Sequence, residues 1–194
     1  FEVYKSSDGT KKYLLKLWDN NIIECVFLTQ NYGNTICMST QVGCRMGCKF
    51  CASTIAGKVR DLEAGELLGQ IIAAQRDLGI RISNVVMMGI GEPLDNFDNV
   101  VKFLRIVNLP EGINIGYRHI SLSTCGRVDG IRKFMELDNQ LTLSISLHAP
   151  NDEIRSKTMP VNKKYPIEEA IRACKYYADK TNTNWNYRKS IIWS

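Results

Sequence analysis

Thr35-Ile-Cys37-Met-Ser-Thr-Gln-Val42-Gly-Cys44-Arg-Met-Gly-Cys48-Lys-Phe-Cys51 is the stretch on which the fold turns. Thr35–Val42 reads as a strand, and the loop after it packs three cysteines into a CxxxCxxC run. From here onward strands and helices alternate. Ala64–Leu78 is predicted helical, with Leu67, Leu68, Ile71, Ile72 and Leu78 on one face. Asn84–Gly89 reads as a buried strand and Asp98–Val107 as a helix repeating at Val100, Val101, Leu104 and Val107. His119–Thr124 is a strand, Val128–Leu137 a helix and Leu141–Leu147 a strand. Ile167–Ala178 is a helix with Ile167, Ala170, Ile171, Cys174 and Ala178 in one stripe. Strand then helix, four times over, predicts an α/β fold around a parallel sheet. A fifth strand is expected to start at Lys189–Trp193, so the sheet is open or an incomplete barrel. Residues 1–32 differ: Asp8-Gly9 is a turn signal, and Lys12–Leu17 and Asn21–Leu28 form a small antiparallel hairpin element through Asp19-Asn20. Residues 33–194 form the α/β core.

The 194 residues suit one domain, and 44% hydrophobic with 23% charged residues is globular composition. No run approaches the roughly 18–20 apolar residues of a membrane span. The chain starts at Phe1 and carries Glu2, Lys5 and Asp8 at once, which is not a secretory signal. Seven cysteines, an odd number with three inside eight residues, argue against a disulfide framework and for metal or catalytic sulfur in the reducing cytoplasm. A net charge of +5 is compatible with a nucleic-acid partner but common among enzymes.

Three thiolates on one short loop can hold three irons of a cubane 4Fe–4S cluster and leave the fourth iron open to a ligand. Zinc is the alternative, completed by His119 or His148, although structural zinc normally uses two separated ligand pairs. Cys37 is a further cluster ligand or a buried small hydrophobe. Gly89-Ile-Gly91-Glu92-Pro93 follows a strand but lacks the third glycine of a dinucleotide fingerprint. Gly91, Glu92, Ser123, Ser146, Leu147 and His148 all fall at strand ends, where parallel α/β folds gather their ligand sites. Alternation places Ser144, Ser146 and His148 on one face. Glu24 taken alone is a solvated strand residue. Cys25 points to the opposite face, and Cys174 is core. Arg45, Lys49, Lys58, Arg60, Arg127, Arg155, Lys163 and Lys164 near the mouth are expected at a solvated surface, where they can track phosphates.

CxxxCxxC after a strand resembles the signature of radical S-adenosylmethionine (SAM) enzymes. The wider string from Cys37 to Thr54, together with Met88–Pro93, Leu122–Thr124, Ser146–Arg155 and Met159–Tyr165, resembles the RlmN branch. That branch methylates adenine carbon 2 in 23S rRNA and tRNA. The likeness runs from about Tyr13 to Lys180; the related Cfr branch, acting at carbon 8, matches the flanking segments less well. It implies an incomplete (β/α)6 radical-SAM barrel, a cluster on Cys44, Cys48 and Cys51, and SAM contacts at Gly91, Glu92, Ser123, Ser146, Leu147 and His148. Glu92 would then meet the methionine ammonium group, and Leu147 would act through its backbone. The same resemblance assigns proton acceptance to Glu24 and resolution of a protein–RNA adduct to Cys37. It makes Cys125, where relatives often carry serine, incidental. It further implies a flavodoxin-like electron donor, a cytoplasmic monomer and no membrane.

RlmN-type chemistry also uses a distal cysteine that carries the methyl group, and no residue of this sequence matches it. Residues 181–194 resemble the family poorly, and its N-terminal helical domain has no counterpart. Two rivals follow: another radical-SAM chemistry, such as Cfr-type methylation, or an inactive cluster- or zinc-binding fragment.

Overall fold

A computed structural model describes residues 1–30, 33–137, 140–183 and 185–188. The chain opens with β1 (Glu2–Lys5), β2 (Lys11–Lys16) and β3 (Ile22–Gln30), an antiparallel meander. Its turns need left-handed backbone, supplied by Gly9 and Asn20. β4 (Gly33–Cys37) pairs antiparallel with β3 on one side and parallel with β7 (Asn84–Met87) on the other, so the meander and the α/β part share one sheet. The strand expected over Thr35–Val42 is interrupted. After Cys37 the chain turns, and β5 (Gln41–Gly43) pairs instead with β6 (Lys58–Asp61), a strand the sequence did not announce.

The α/β part continues with α1 (Ala64–Leu78), β7 (Asn84–Met87), α2 (Phe97–Asn108), β8 (Ile120–Thr124), α3 (Val128–Phe134), β9 (Thr142–Ser146), α4 (Asp152–Thr158), α5 (Ile167–Thr181) and β10 (Trp185–Arg188). Among the described residues the main sheet has eight strands in the order β1-β2-β3-β4-β7-β8-β9-β10, and β4, β7, β8, β9 and β10 run parallel. This is an open α/β sheet of partial-barrel type. β10 arrives at Trp185–Arg188; the strand expected at Lys189–Trp193 lies outside the described residues.

Register explains the two faces of the sheet. Phe27 pairs with Ile36, Ile36 with Val85, Val85 with Ile120, and Leu122 with Leu143. All are buried, and they form one core with Leu67, Ile71, Phe103, Leu104 and Tyr177 from the helices. Side chains alternate along each strand, so the other face carries Glu24, Cys37, Ser121, Ser123, Ser144 and Ser146. The helix stripes are slightly rotated from expectation. In α1 the buried set is Ala64, Leu67, Gln70, Ile71 and Ala74, while Ile72 is exposed. A capping box between Glu63 and Glu66 starts α1, and left-handed Gly79 ends it.

Candidate metal and cofactor site

The loop between Cys37 and β5 is fixed before any cysteine of the cluster motif is reached. Gln70 of α1, fully buried, brackets Ser39: its Oε1 accepts from the Ser39 N–H and its Nε2 donates to the Ser39 carbonyl, both at 2.9 Å. Ser39 Oγ donates to the Glu24 carbonyl and accepts from Ile90 N. Gly89 lies against this loop so closely that a Cβ would stand 2.8 Å from Met38 backbone atoms. Gly91, at φ +107°, lies against Gln41, which a Cβ would meet at 2.7 Å. The glycines that look like half a dinucleotide fingerprint are therefore demanded by packing against the cysteine loop.

The C-terminal ends of β7, β8 and β9 border one cavity of about 250 Å³. Cys44, Cys48 and Cys51 line it, opposite Gly91, Glu92 and Ser123, with Ser146 and His148 at the end of β9. The cysteine loop is tethered at several points. Cys44 N–H donates to the Gly57 carbonyl at 3.0 Å, Lys49 N–H to Thr158 at 2.9 Å, and Thr54 Oγ1 to the carbonyls of Cys48 and Cys51. Burial pushes the Cys48 thiol up to about 12 and raises Cys44, and neighbouring cysteines add to both effects. Burial and neighbouring charge disfavour the thiolates of Cys44 and Cys48, and the charge of a bound metal would offset both effects.

Among the described residues, no three His, Cys, Asp or Glu side chains close on a single ion. Tetrahedral zinc needs convergence within about 2.3 Å of one point, whereas a cubane takes each thiolate at a separate iron. His119, one zinc candidate, precedes β8 and bonds Asn84 Oδ1 at 3.0 Å, away from the cysteines. Three soft thiols on one fixed loop, facing a cavity with room beyond them, fit a three-cysteine cluster.

Glu92 is 3% exposed. Its Oε2 accepts from Cys125 N–H at 2.7 Å and its Oε1 from Leu94 N–H at 3.1 Å. Burial raises its pKa against those bonds, and its own N–H is held by Gln41 Oε1 at 2.9 Å. Cys125, expected to be incidental, is part of this arrangement: it lines the cavity and its amide positions the carboxylate. β9 stops at Ser146, and His148 takes a left-handed φ of 51° rather than continuing the strand. Both still line the cavity, and His148 packs edge-on against Phe50 with ring centroids 4.8 Å apart.

Leu147, Cys37 and Glu24 do not line the cavity. Leu147 is buried and its carbonyl accepts from Arg155 Nε at 3.2 Å. Cys37 is half-buried at the end of β4, and Glu24 is half-exposed with Lys12 Nζ 2.8 Å from its carboxylate. Register nevertheless puts both on the sheet face that carries Ser123 and Ser146.

Sequence reasoning missed one charged group, Asp95, and misplaced another, Arg155. Asp95, with a fully buried side chain, gathers Arg45 of the cysteine loop, Lys58 of β6, Arg127 and Gln41. The hydrogen bonds and charges of these partners outweigh its burial and hold its carboxyl down at about 2. Arg155, expected among surface cations, is 0% exposed. α4 offers only Ile154 as an apolar residue to turn inward, yet Ile154 is exposed and Arg155 is the buried one. Amphipathic periodicity carries no signal for such an inversion. Lys58, Arg60 and Arg127 are likewise engaged in ion pairs rather than free.

The sequence model of the Radical SAM superfamily matches residues 38–190. The chain is 57% identical over 187 residues to the probable dual-specificity RNA methyltransferase RlmN of Clostridium perfringens strain SM101, an alignment covering 96% of this chain and 54% of that protein. Against the protein of the same name from Clostridium tetani it is 57% identical over 190 residues, 97% of this chain and 54% of the other. A solved radical SAM methyltransferase from Sphaerobacter thermophilus superposes with a TM-score of 0.92 at 39% identity, covering 97% of this chain and 57% of that one. The chain spans about half the length of the curated relatives it matches.

Proposed function

The chain belongs to the radical SAM superfamily, and from that membership we propose that it forms the cluster- and SAM-binding core of an RlmN-type RNA adenine carbon-2 methyltransferase. One observation carries this: three thiols of a CxxxCxxC loop share a single cavity with a buried carboxylate and the polar ends of β8 and β9. Identity of 53–57% to proteins named as RlmN methyltransferases supports the RNA substrate class.

Cys44, Cys48 and Cys51 would hold the cluster, which when bound and reduced supplies the electron for cleaving SAM. Glu92, with its oxygens turned by two backbone amides, would accept the methionine ammonium group. Gly91, Ser123, Ser146 and His148 would border the rest of the ligand, and Leu147 would hold its end of the strand through its backbone. Phe50, Met46 and Met159 give the cavity apolar walls that exclude water. Glu24 and Cys37 lie on the same sheet face outside the cavity, where a substrate base would be met rather than SAM. Glu24 would take a proton from the adenine, and the Cys37 sulfur would resolve the protein–RNA adduct. The partners under this proposal are 23S rRNA and tRNA as substrates and a flavodoxin-like electron donor. The protein would work as a monomer in the cytoplasm, where thiols stay reduced. No described helix is long and apolar enough to cross a membrane.

Cys25, Cys125 and Cys174 are all buried, whereas a methyl carrier must swing between two substrates. The 194-residue chain, reconstituted anaerobically and given SAM, a reductant and unmodified 23S rRNA, is therefore expected to release 5′-deoxyadenosine without methylating RNA. Absence of 5′-deoxyadenosine would contradict the proposed SAM chemistry. Formation of 2-methyladenosine, detected by mass spectrometry, would assign the carrier role to a cysteine of this sequence, and 8-methyladenosine would favour Cfr-type chemistry.

A further inference from the structure

Arg155 is fully buried, and among the described residues each of its hydrogen bonds goes to a neutral acceptor. Nη2 donates to the carbonyls of Cys125 at 2.6 Å and Ser146 at 3.1 Å, and Nε to that of Leu147 at 3.2 Å. Nη1 donates to Asn162 Oδ1 at 2.7 Å and to the Tyr165 carbonyl at 3.5 Å. No carboxylate ion-pairs with it among the described residues; Asp152, the acid whose charge reaches it, spends Oδ1 on Asn162 Nδ2 and Ile167 N–H. Two of its acceptors, Cys125 and Ser146, belong to residues that line the cavity, so the guanidinium stands directly behind the cavity wall.

A buried charge normally has a counter-charge, because neutral hydrogen bonds only partly offset its loss of hydration. Three thiolates outweigh the formal charge of an oxidised cubane core, so a loaded cavity is anionic, and reduction makes it more so. We propose that Arg155 is a positioning residue whose guanidinium clamps the ends of β8 and β9 while its charge offsets that of the occupied cavity, raising the reduction potential of the cluster. The proposal rests on the cluster assignment made above. It has two separable parts, a fork that needs guanidinium geometry and a charge that lysine also carries.

The test compares wild type, Arg155→Lys and Arg155→Met as full chains. Thermal unfolding of the empty protein reads the fork. An EPR-monitored redox titration of the reconstituted cluster, which a purely structural residue would leave unmoved, reads the charge. Both variants are expected to melt below wild type. Arg155→Met is expected to shift the midpoint to a more negative potential, and Arg155→Lys to stay near wild type. A wild-type potential in Arg155→Met, or an equal shift in both variants, would overturn the proposal. Arg155→Gln, neutral like Met but able to donate hydrogen bonds to the same carbonyls, carries the titration if Arg155→Met does not fold: a more negative midpoint is expected, and a wild-type potential would overturn the proposal. Failure of the wild-type chain to take up iron would contradict the cluster assignment instead.

Discussion

At the scale of single residues, the site is built from acids whose environments differ. Glu92 is buried with backbone amides on both oxygens and no cation paired with it among the described residues, whereas Asp95, one turn further along the chain, holds three cations. Glu92→Ala is expected to weaken SAM binding, measured by equilibrium dialysis on the reconstituted protein, and to leave the iron count unchanged. Equal affinity would remove Glu92 from the ligand site. Asp95→Asn leaves Arg45, Lys58 and Arg127 facing each other and is expected to cost about 2–3 kcal/mol, less than for a fully stranded buried charge because Arg45 reaches water. The pH dependence has a definite sign. A carboxyl held at about 2 in the folded state stabilises the protein above its ordinary value near 4, and that contribution is lost as pH falls from about 4 towards 2. The gap in melting temperature between wild type and Asp95→Asn should therefore be wide at about pH 6 and narrow at about pH 2.5; a gap independent of pH would contradict the ion-pair account. Asp95 escaped sequence reasoning because its partners come from positions 41, 45, 58 and 127, and no local pattern encodes such a meeting.

Among the elements, α1 shows most clearly how a helix can serve a site it does not touch. Its apolar stripe made the helix legible, down to the ends at Ala64 and Leu78. Gln70, buried on the same face, binds both backbone groups of Ser39 and so fixes the approach to the cysteine loop. Gln70→Leu keeps the volume and leaves a buried N–H and C=O unpaired, at about 1–3 kcal/mol each. The expected outcome is a clear drop in stability by urea denaturation; an unchanged midpoint would show that Ser39 finds other partners. The β2–β3 hairpin, β7, β8, β9 and α2 were readable in the same way, since period-2 and period-3.6 patterns act locally, whereas β1 was not read as a strand and the one read over Thr35–Val42 is interrupted. β6 was not, because Lys58-Val-Arg-Asp61 offers little apolar alternation and is held as a strand by its pairing with β5. α4 was missed for a similar reason: its buried face is a guanidinium, not a hydrophobe.

In the whole molecule, sheet register does the assembling. It sends the apolar residues of β3, β4, β7, β8 and β9 to the helix-covered face and leaves Glu24, Cys37, Ser123 and Ser146 together on the other. The strands then end together around the cysteine loop. Under the proposed function this cavity holds a cluster on three cysteines with SAM bound beside it. EPR spectroscopy of the anaerobically reconstituted, reduced chain, with and without SAM, tests it most directly, with iron counted in the same samples. The expected result is about four irons per chain and a spectrum that changes when SAM is added, with cluster and signal lost in each of Cys44→Ala, Cys48→Ala and Cys51→Ala. Iron retained in those variants, or a spectrum indifferent to SAM, would contradict it.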